Sequence, residues 1–118
     1  MKRSLLILSA LVLTGCIEDK SVETQLSSRL QEAKAKAMVL CAGCHGPKGI
    51  GTADFNPNLA CQKKLYMVKQ LGFYRDGTRT THPPMTNIAR MLTEDEVDAI
   101  SEWYSLTGCP ISQKTLPH

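Results

Sequence analysis

The sequence predicts a small all-α domain of three to five short helices packed around a centre that its own side chains do not fill. Three observations point there. Apolar residues recur at helical spacing in three separate stretches, and no run alternates as a strand would. Aromatic content is only 5%, low for a domain that builds its core unaided. The chain has 118 residues, room for one small domain with a marginal core.

The N-terminal residues are expected to lie outside that domain. Lys2 and Arg3 precede an almost wholly apolar run over residues 4–13, too short to span a bilayer, and Leu13, Thr14, Gly15 and Cys16 follow. This pattern predicts an export signal over residues 1–15. Leu-Thr-Gly-Cys resembles the bacterial lipobox, which implies lipidation of Cys16 as the new N-terminus. Ile17 after that cysteine resembles the outer-membrane sorting pattern of some bacteria. Residues 16–28 are polar and aperiodic and read as a flexible tether. The formal charge of +3 falls to about +1 without Lys2 and Arg3, which gives no footprint for nucleic acid.

Residues 30–40, "LQEAKAKAMVL", are rich in helix formers, with Leu30, Ala33, Ala37 and Leu40 on one face. That helix should stop around Gly43 to Gly46. Residues 46–58 carry Gly, Pro, Asn and Asp and read as loop. A second helix is predicted over "QKKLYMVKQLGFYRDG", with Leu65, Val68 and Leu71 inward. Residues 78–84 read as loop because Pro83 and Pro84 oppose helix. A short turn should cover residues 87–91. The last helix opens at a capping box, Thr93 with Glu96, stapled by Leu92 and Val97. Val97, Ile100, Trp103 and Tyr104 mark its inward face, and Gly108 and Pro110 end it. The domain is thus expected over residues 29–110, with a tail over 111–118.

The chain has 5 cysteines and 3 histidines, and "CAGCH" gathers Cys41, Cys44 and His45 within five positions. C-x-x-C-H has three physical readings. Two thiols at this spacing can add to the vinyl groups of one haem, with the next imidazole as fifth iron ligand. A thioredoxin-like redox pair normally sits in a βαβ setting, and no strands are visible. A zinc site wants four ligands, and Cys61 and Cys109 form no second close pair. Covalent haem c also supplies the missing apolar centre. Met85, beside Pro83 and Pro84, is the candidate sixth ligand; His82 and Met91 are alternatives. Met38, Met67 and Met91 read as core.

These residues resemble a single-domain bacterial class I cytochrome c, similar to one half of the periplasmic di-haem cytochromes. The resemblance rests on "CAGCHGPKGIG", "PNLACQKKLYMVKQLGFYRDGTR" and "PPMTNIARMLTEDEVDAISEWYS", about residues 31–106. It implies that the axial methionine is the one seven residues before Leu92, which is Met85. It implies that the Pro57 carbonyl accepts a hydrogen bond from His45. Two features depart from the family. No glycine stands in residues 28–40, where first and last helices usually cross, so Ala33 or Ala37 must serve. Cys61 stands where a small residue such as glycine is usual, and Cys109 is extra. With Cys16 lipidated and Cys41 and Cys44 on haem, Cys61 and Cys109 are the remaining thiols in an oxidising compartment. They are expected to form a disulfide, with two buried free thiols as the alternative.

The reading is a monomeric electron carrier rather than an enzyme. It holds one haem c between His45 and Met85, sits on the periplasmic side of a membrane through Cys16, and exchanges single electrons with redox partner proteins. Lys48, Lys63, Lys64, Lys69, Arg75, Arg79 and Arg90 suggest a basic rim that meets an acidic partner. The alternatives are a haem-bearing subunit of an oxidase or reductase, and a haem sensor or enzyme with an open sixth position.

Overall fold

Helix follows helix along the described part of the computed structural model, which covers residues 20–109, with side chains from residue 27 onward. The order is α1 (Lys20–Leu40), α2 (Ala42–His45), α3 (Lys64–Asp76), α4 (Pro83–Met91) and α5 (Glu94–Leu106). No strand occurs among the described residues, as predicted. The expected signal, Cys16 and residues 111–118 lie outside them.

The final helix is the hub, because it packs against both α1 and α3, while α4 packs on α3. Its start follows from the sequence. The Glu96 N–H donates to Thr93 Oγ1 at 3.2 Å, and Thr93 N–H donates to Glu96 Oε2 at 2.8 Å. Leu92 and Val97 are both buried beneath this cap. Val97, Ile100 and Tyr104 then bury one stripe, joined by Ala99 and Ser101, with Trp103 at the edge. Ala33 and Ala37 of α1 enter the same cluster, Ala37 with no exposure at all. These alanines provide the small surface that the missing glycine would have given.

Four expectations need correction. The polar stretch expected to be a flexible tether is helical from Lys20, as a backbone of fair helix formers without proline or glycine allows. The segment before α4 is not all loop. Pro83 and Pro84 occupy its first two positions, where the missing N–H groups would have had no helical partner anyway. In α3 the inward residues are Met67 and Tyr74, with Val68 and Leu71 half-buried, while Leu65 is 80% exposed. Met91, expected as core, is 65% exposed, since Leu92 rather than Met91 turns inward at the end of α4.

Polar straps hold the helices in register. Arg29 of α1 donates to Asp98 at 2.6 Å and Glu102 at 2.8 Å, and Lys64 of α3 reaches the same two carboxylates at 2.8 and 3.2 Å. Lys36 pairs with Glu96. Arg75 spans α3 and α4 by donating to the carbonyls of Ala89, at 3.1 Å, and Leu92. Those acceptors lie at the end of α4, where carbonyls lack helical partners.

Burial alone would raise the Asp98 carboxyl, but Lys64 and Arg29 outweigh it and hold it below the usual carboxylate range. A lowered carboxylate stabilises the fold above its unfolded value, about 4. That contribution is lost as pH falls through the lowered folded value. Asp98 is 42% exposed, so screening limits the effect. Asp98→Asn is expected to cost no more than about 1 kcal/mol at neutral pH. In thermal melts the gap between variant and parent should close as pH drops below about 4; a gap that persists would show that charge is not its cause.

Candidate haem-binding site

One helical turn carries the three residues of the motif. Cys41 continues the ladder of α1 through its N–H to Ala37 O at 2.9 Å. The N–H groups of Cys44 and His45 both donate to Cys41 O, at 3.2 and 2.9 Å. Residues three and four apart lie on one side of such a turn, so both thiols and the imidazole are presented together. Cys41 is half-buried against the core cluster and Cys44 is exposed; neither is in a disulfide. His45 is 7% exposed.

The chain then leaves and returns. Gly46 ends the turn with φ +77°, and a Cβ there would collide with the Ile50 carbonyl. Thr52 N–H and Oγ1 both donate to Cys44 O at 2.9 Å. Gly49 O accepts from Leu59 at 2.8 Å and from Ala60 at 3.0 Å, and Asn58 Oδ1 accepts from Gly51 at 2.8 Å. This clasp brings Pro57 back to the motif, where its carbonyl lies 2.8 Å from His45 Nδ1. A carbonyl can only accept, so Nδ1 carries a proton, and the nitrogen left to bind a metal is Nε2. A neutral imidazole held this way is a directed metal ligand.

Met85 comes from a different element. It occupies the third position of α4, half-buried, with its N–H on His82 O at 3.0 Å. His82 is the cap residue of that helix, and Met91 faces outward. Cys61 and Cys109 approach each other, with Cα atoms 4.9 Å apart, within the range a disulfide needs. Cys61 takes φ +57°, a left-handed conformation that glycine adopts without cost. Its N–H donates to Tyr104 O at 3.0 Å and Thr107 O at 2.9 Å, at the end of α5.

The donor set fits haem c better than its rivals. Two neighbouring thiols without a bond between them precede a buried imidazole of fixed tautomer. For the redox-pair reading, burial pushes the Cys41 thiol up to about 11, with Tyr104 only partly offsetting it. Reactive thiols have lowered values. For the zinc reading, Cys61 and Cys109 are drawn to each other rather than to Cys41 and Cys44. No grouping of three candidate ligands occurs among the described residues.

The basic rim narrows. Lys64 is engaged by Asp98 and Glu102, Arg75 by carbonyls, and Arg79 by Gln70 at 2.6 Å and the Tyr74 ring at 4.6 Å. Lys69 lies 5.4 Å from the Phe73 ring. Lys48, Lys63 and Arg90 are exposed, Arg90 with one long bond to the Arg75 carbonyl at 3.4 Å. Residue patterns missed the Thr52 and Gly49 clasps, whose only signal was the glycine-rich "GPKGIG". They also missed the Tyr104 hydroxyl, which reads as core.

Comparison with known proteins agrees with this geometry. A family model described as cytochrome c matches residues 30–104. The chain belongs to the cytochrome c family, the all-helical electron-transfer proteins that carry covalent haem c. It is similar to cytochrome c4 of Pseudomonas aeruginosa, 42% identical over 74 residues, covering 58% of this chain and 36% of the relative. A thiosulfate dehydrogenase electron acceptor of Stutzerimonas stutzeri is 41% identical over 70 residues, covering 58% of this chain and 32% of the relative. Cytochrome c-554(548) of Halomonas halodenitrificans is 36% identical over 67 residues, covering 55% of this chain and 81% of the relative. The crystal structure of reduced cytochrome c4 from Pseudomonas stutzeri superposes with a TM-score of 0.59 at 28% identity. That match covers 68% of this chain and 49% of the other. The chain thus spans about a third of the length of the two longer relatives, and resembles one half of a di-haem cytochrome c4.

Gly49 offers a test of the clasp. Its φ is +74°, and an added Cβ would stand 2.8 Å from Ala60 N and 3.1 Å from Tyr104 Cδ1. Gly49→Ala is expected to destabilise the protein by about 1–3 kcal/mol, through backbone strain and the shift forced on residue 60. Melting curves should show this loss; an unchanged midpoint would mean that the clasp is dispensable.

Proposed function

We propose that this chain is a mono-haem electron carrier in which Cys41 and Cys44 attach haem c and His45 and Met85 hold its iron. When bound, haem c supplies a one-electron iron couple. The observation that carries the reading is the buried His45 ring with Nδ1 on the Pro57 carbonyl, directly after two thiols on one helical turn. Cys41 and Cys44 provide bonds that no partner exchange can break. Pro57 orients the ring and makes Nε2 a better donor. Met85 would supply a soft thioether as the second protein ligand, which would leave the iron no vacant position for a substrate. This distinguishes the carrier from a haem sensor or enzyme with a vacant position.

The partners are redox proteins. Two of the relatives are named as electron acceptors of thiosulfate dehydrogenase, which supports a carrier role of the same kind without naming this chain's donor. Lys48, Lys63 and Arg90 are the exposed cations that would meet an acidic partner. Residues 1–15 form an export signal, Cys16 a lipid anchor on the periplasmic side, and residues 29–110 a monomeric carrier domain. Among the described residues no helix is long and apolar enough to cross a membrane.

The haem is expected to stay with the protein through denaturation, and acid–acetone extraction of free haem would overturn the reading. Met85→Ala should abolish the methionine–iron charge-transfer band of the oxidised protein and open the iron to carbon monoxide. Met91→Ala should change neither. A band lost only in the Met91 variant would move the ligand there.

Cys61 and Cys109 form a disulfide in this reading. Their separation of 48 residues corresponds to roughly 4 kcal/mol in the chain-entropy estimate, an upper figure. Intact mass should rise by two hydrogens on reduction, and Cys109→Ser should lower stability by about 2–4 kcal/mol. No mass change would mean free thiols.

A further inference from the structure

Two hydroxyls in the described fold are buried without a hydrogen-bond partner, those of Ser101 and Tyr104. Tyr104 carries the argument, because everything around it is fixed. It is 1% exposed. Its ring rests on the open face of Gly49, with Cδ1 3.1 Å from the place a Cβ would occupy. Trp103 meets the ring edge-on, with centroids 4.5 Å apart. Its carbonyl accepts the N–H groups of both Cys61 and Thr107. The hydroxyl therefore has little freedom to turn elsewhere. Cys41 packs on the same cluster, its thiol the nearest group able to pair with the phenol, though no bond between them is well formed.

A buried hydroxyl with no partner is costly. Phenylalanine would fill nearly the same volume without that cost. The tyrosine oxygen thus calls for an acceptor, and the neighbouring sulfur is one. We propose that Tyr104 is a positioning residue for the haem: in the holoprotein its hydroxyl donates to the Cys41 sulfur and favours the ferrous state. This rests on Cys41 being a haem attachment point. Attachment replaces the S–H by a thioether, which can accept but not donate, and that leaves Tyr104 as the only possible donor of the pair. Burial first, then Cys41, raise the phenol, so it keeps its proton. The O–H dipole would then turn its positive end toward the Cys41 sulfur that would carry the haem, which favours the form with the added electron. Sulfur is a weak acceptor, so the contribution is modest.

The test uses full-length holoprotein. In Tyr104→Phe the ferrous-to-ferric ratio at a fixed solution potential should fall about two- to fivefold, within the range of a net hydrogen bond. An unchanged or higher ratio overturns the proposal, since a merely structural hydroxyl would move the melting temperature and leave the ratio alone. Should the variant fail to mature, the unsubstituted ferrous protein decides. Its proton NMR spectrum should contain a slowly exchanging hydroxyl resonance with a nuclear Overhauser contact to the Cys41 Cβ protons. Absence of that contact overturns the proposal. Haem retained on a denaturing gel reports separately on attachment. Lost haem would sink both readings, whereas retained haem with an unchanged ratio would sink only the role of Tyr104.

Discussion

The bond between His45 Nδ1 and the Pro57 carbonyl organises the molecule around itself. A ring nitrogen of a buried imidazole needs a partner, and here the partner comes from twelve residues further along the chain. To deliver it, the loop must reverse twice. Gly46 and Gly49 take positive φ values at those reversals, and Gly49 O receives two N–H groups from the returning strand of chain. Thr52 anchors the far side on Cys44 O. The loop is therefore not spare length between helices. It is the device that turns a flexible imidazole into one with a single tautomer and a single direction, which any iron ligand in this position requires.

The same loop also closes the other end of the fold. Two residues past Leu59 the chain reaches Cys61, whose N–H is shared between the carbonyls of Tyr104 in α5 and Thr107 just past its end. Helix ends leave such carbonyls unpaired, so Cys61 acts as a cap supplied from elsewhere in the sequence. Because α5 also packs α1 and α3, and receives Arg29 and Lys64 on its outer face, the site is braced from three directions. Surface ion pairs contribute little singly, but here two cations share two carboxylates and tie three helices together.

What the residue pattern revealed depended on whether the signal was local. Cys41, Cys44 and His45 were legible because their chemistry lies in their spacing. The capping box of α5 was legible for the same reason. The start of α4 was not, since proline's veto on helix applies to interior positions and not to the first turn. Leu65 and Met91 were misplaced inward because an apolar residue at helical spacing does not say which of two neighbouring faces meets the core. Arg75, read as part of a basic rim, serves the end of α4, a role set by tertiary approach alone. The polar run ahead of Leu30 lacked periodicity, and α1 extends through it without needing an apolar stripe.

Tyr104 shows how the chain manages without the usual glycine at its helix crossing. Close approach there demands small residues, and Ala33 and Ala37 supply them on α1. They leave less room than glycine would. The large ring of Tyr104 instead finds its space against Gly49, in the loop. The last helix thus makes a close contact with the loop as well as with α1, and the loop must be held in place for it. Cys61 is where that holding occurs. A non-glycine residue at φ +57° is strained by roughly 1–3 kcal/mol, so packing alone would favour glycine at this position. The proposed bond to Cys109 reverses the balance, because its effect on the unfolded chain exceeds that strain. A cysteine in place of glycine makes physical sense only if its sulfur is used.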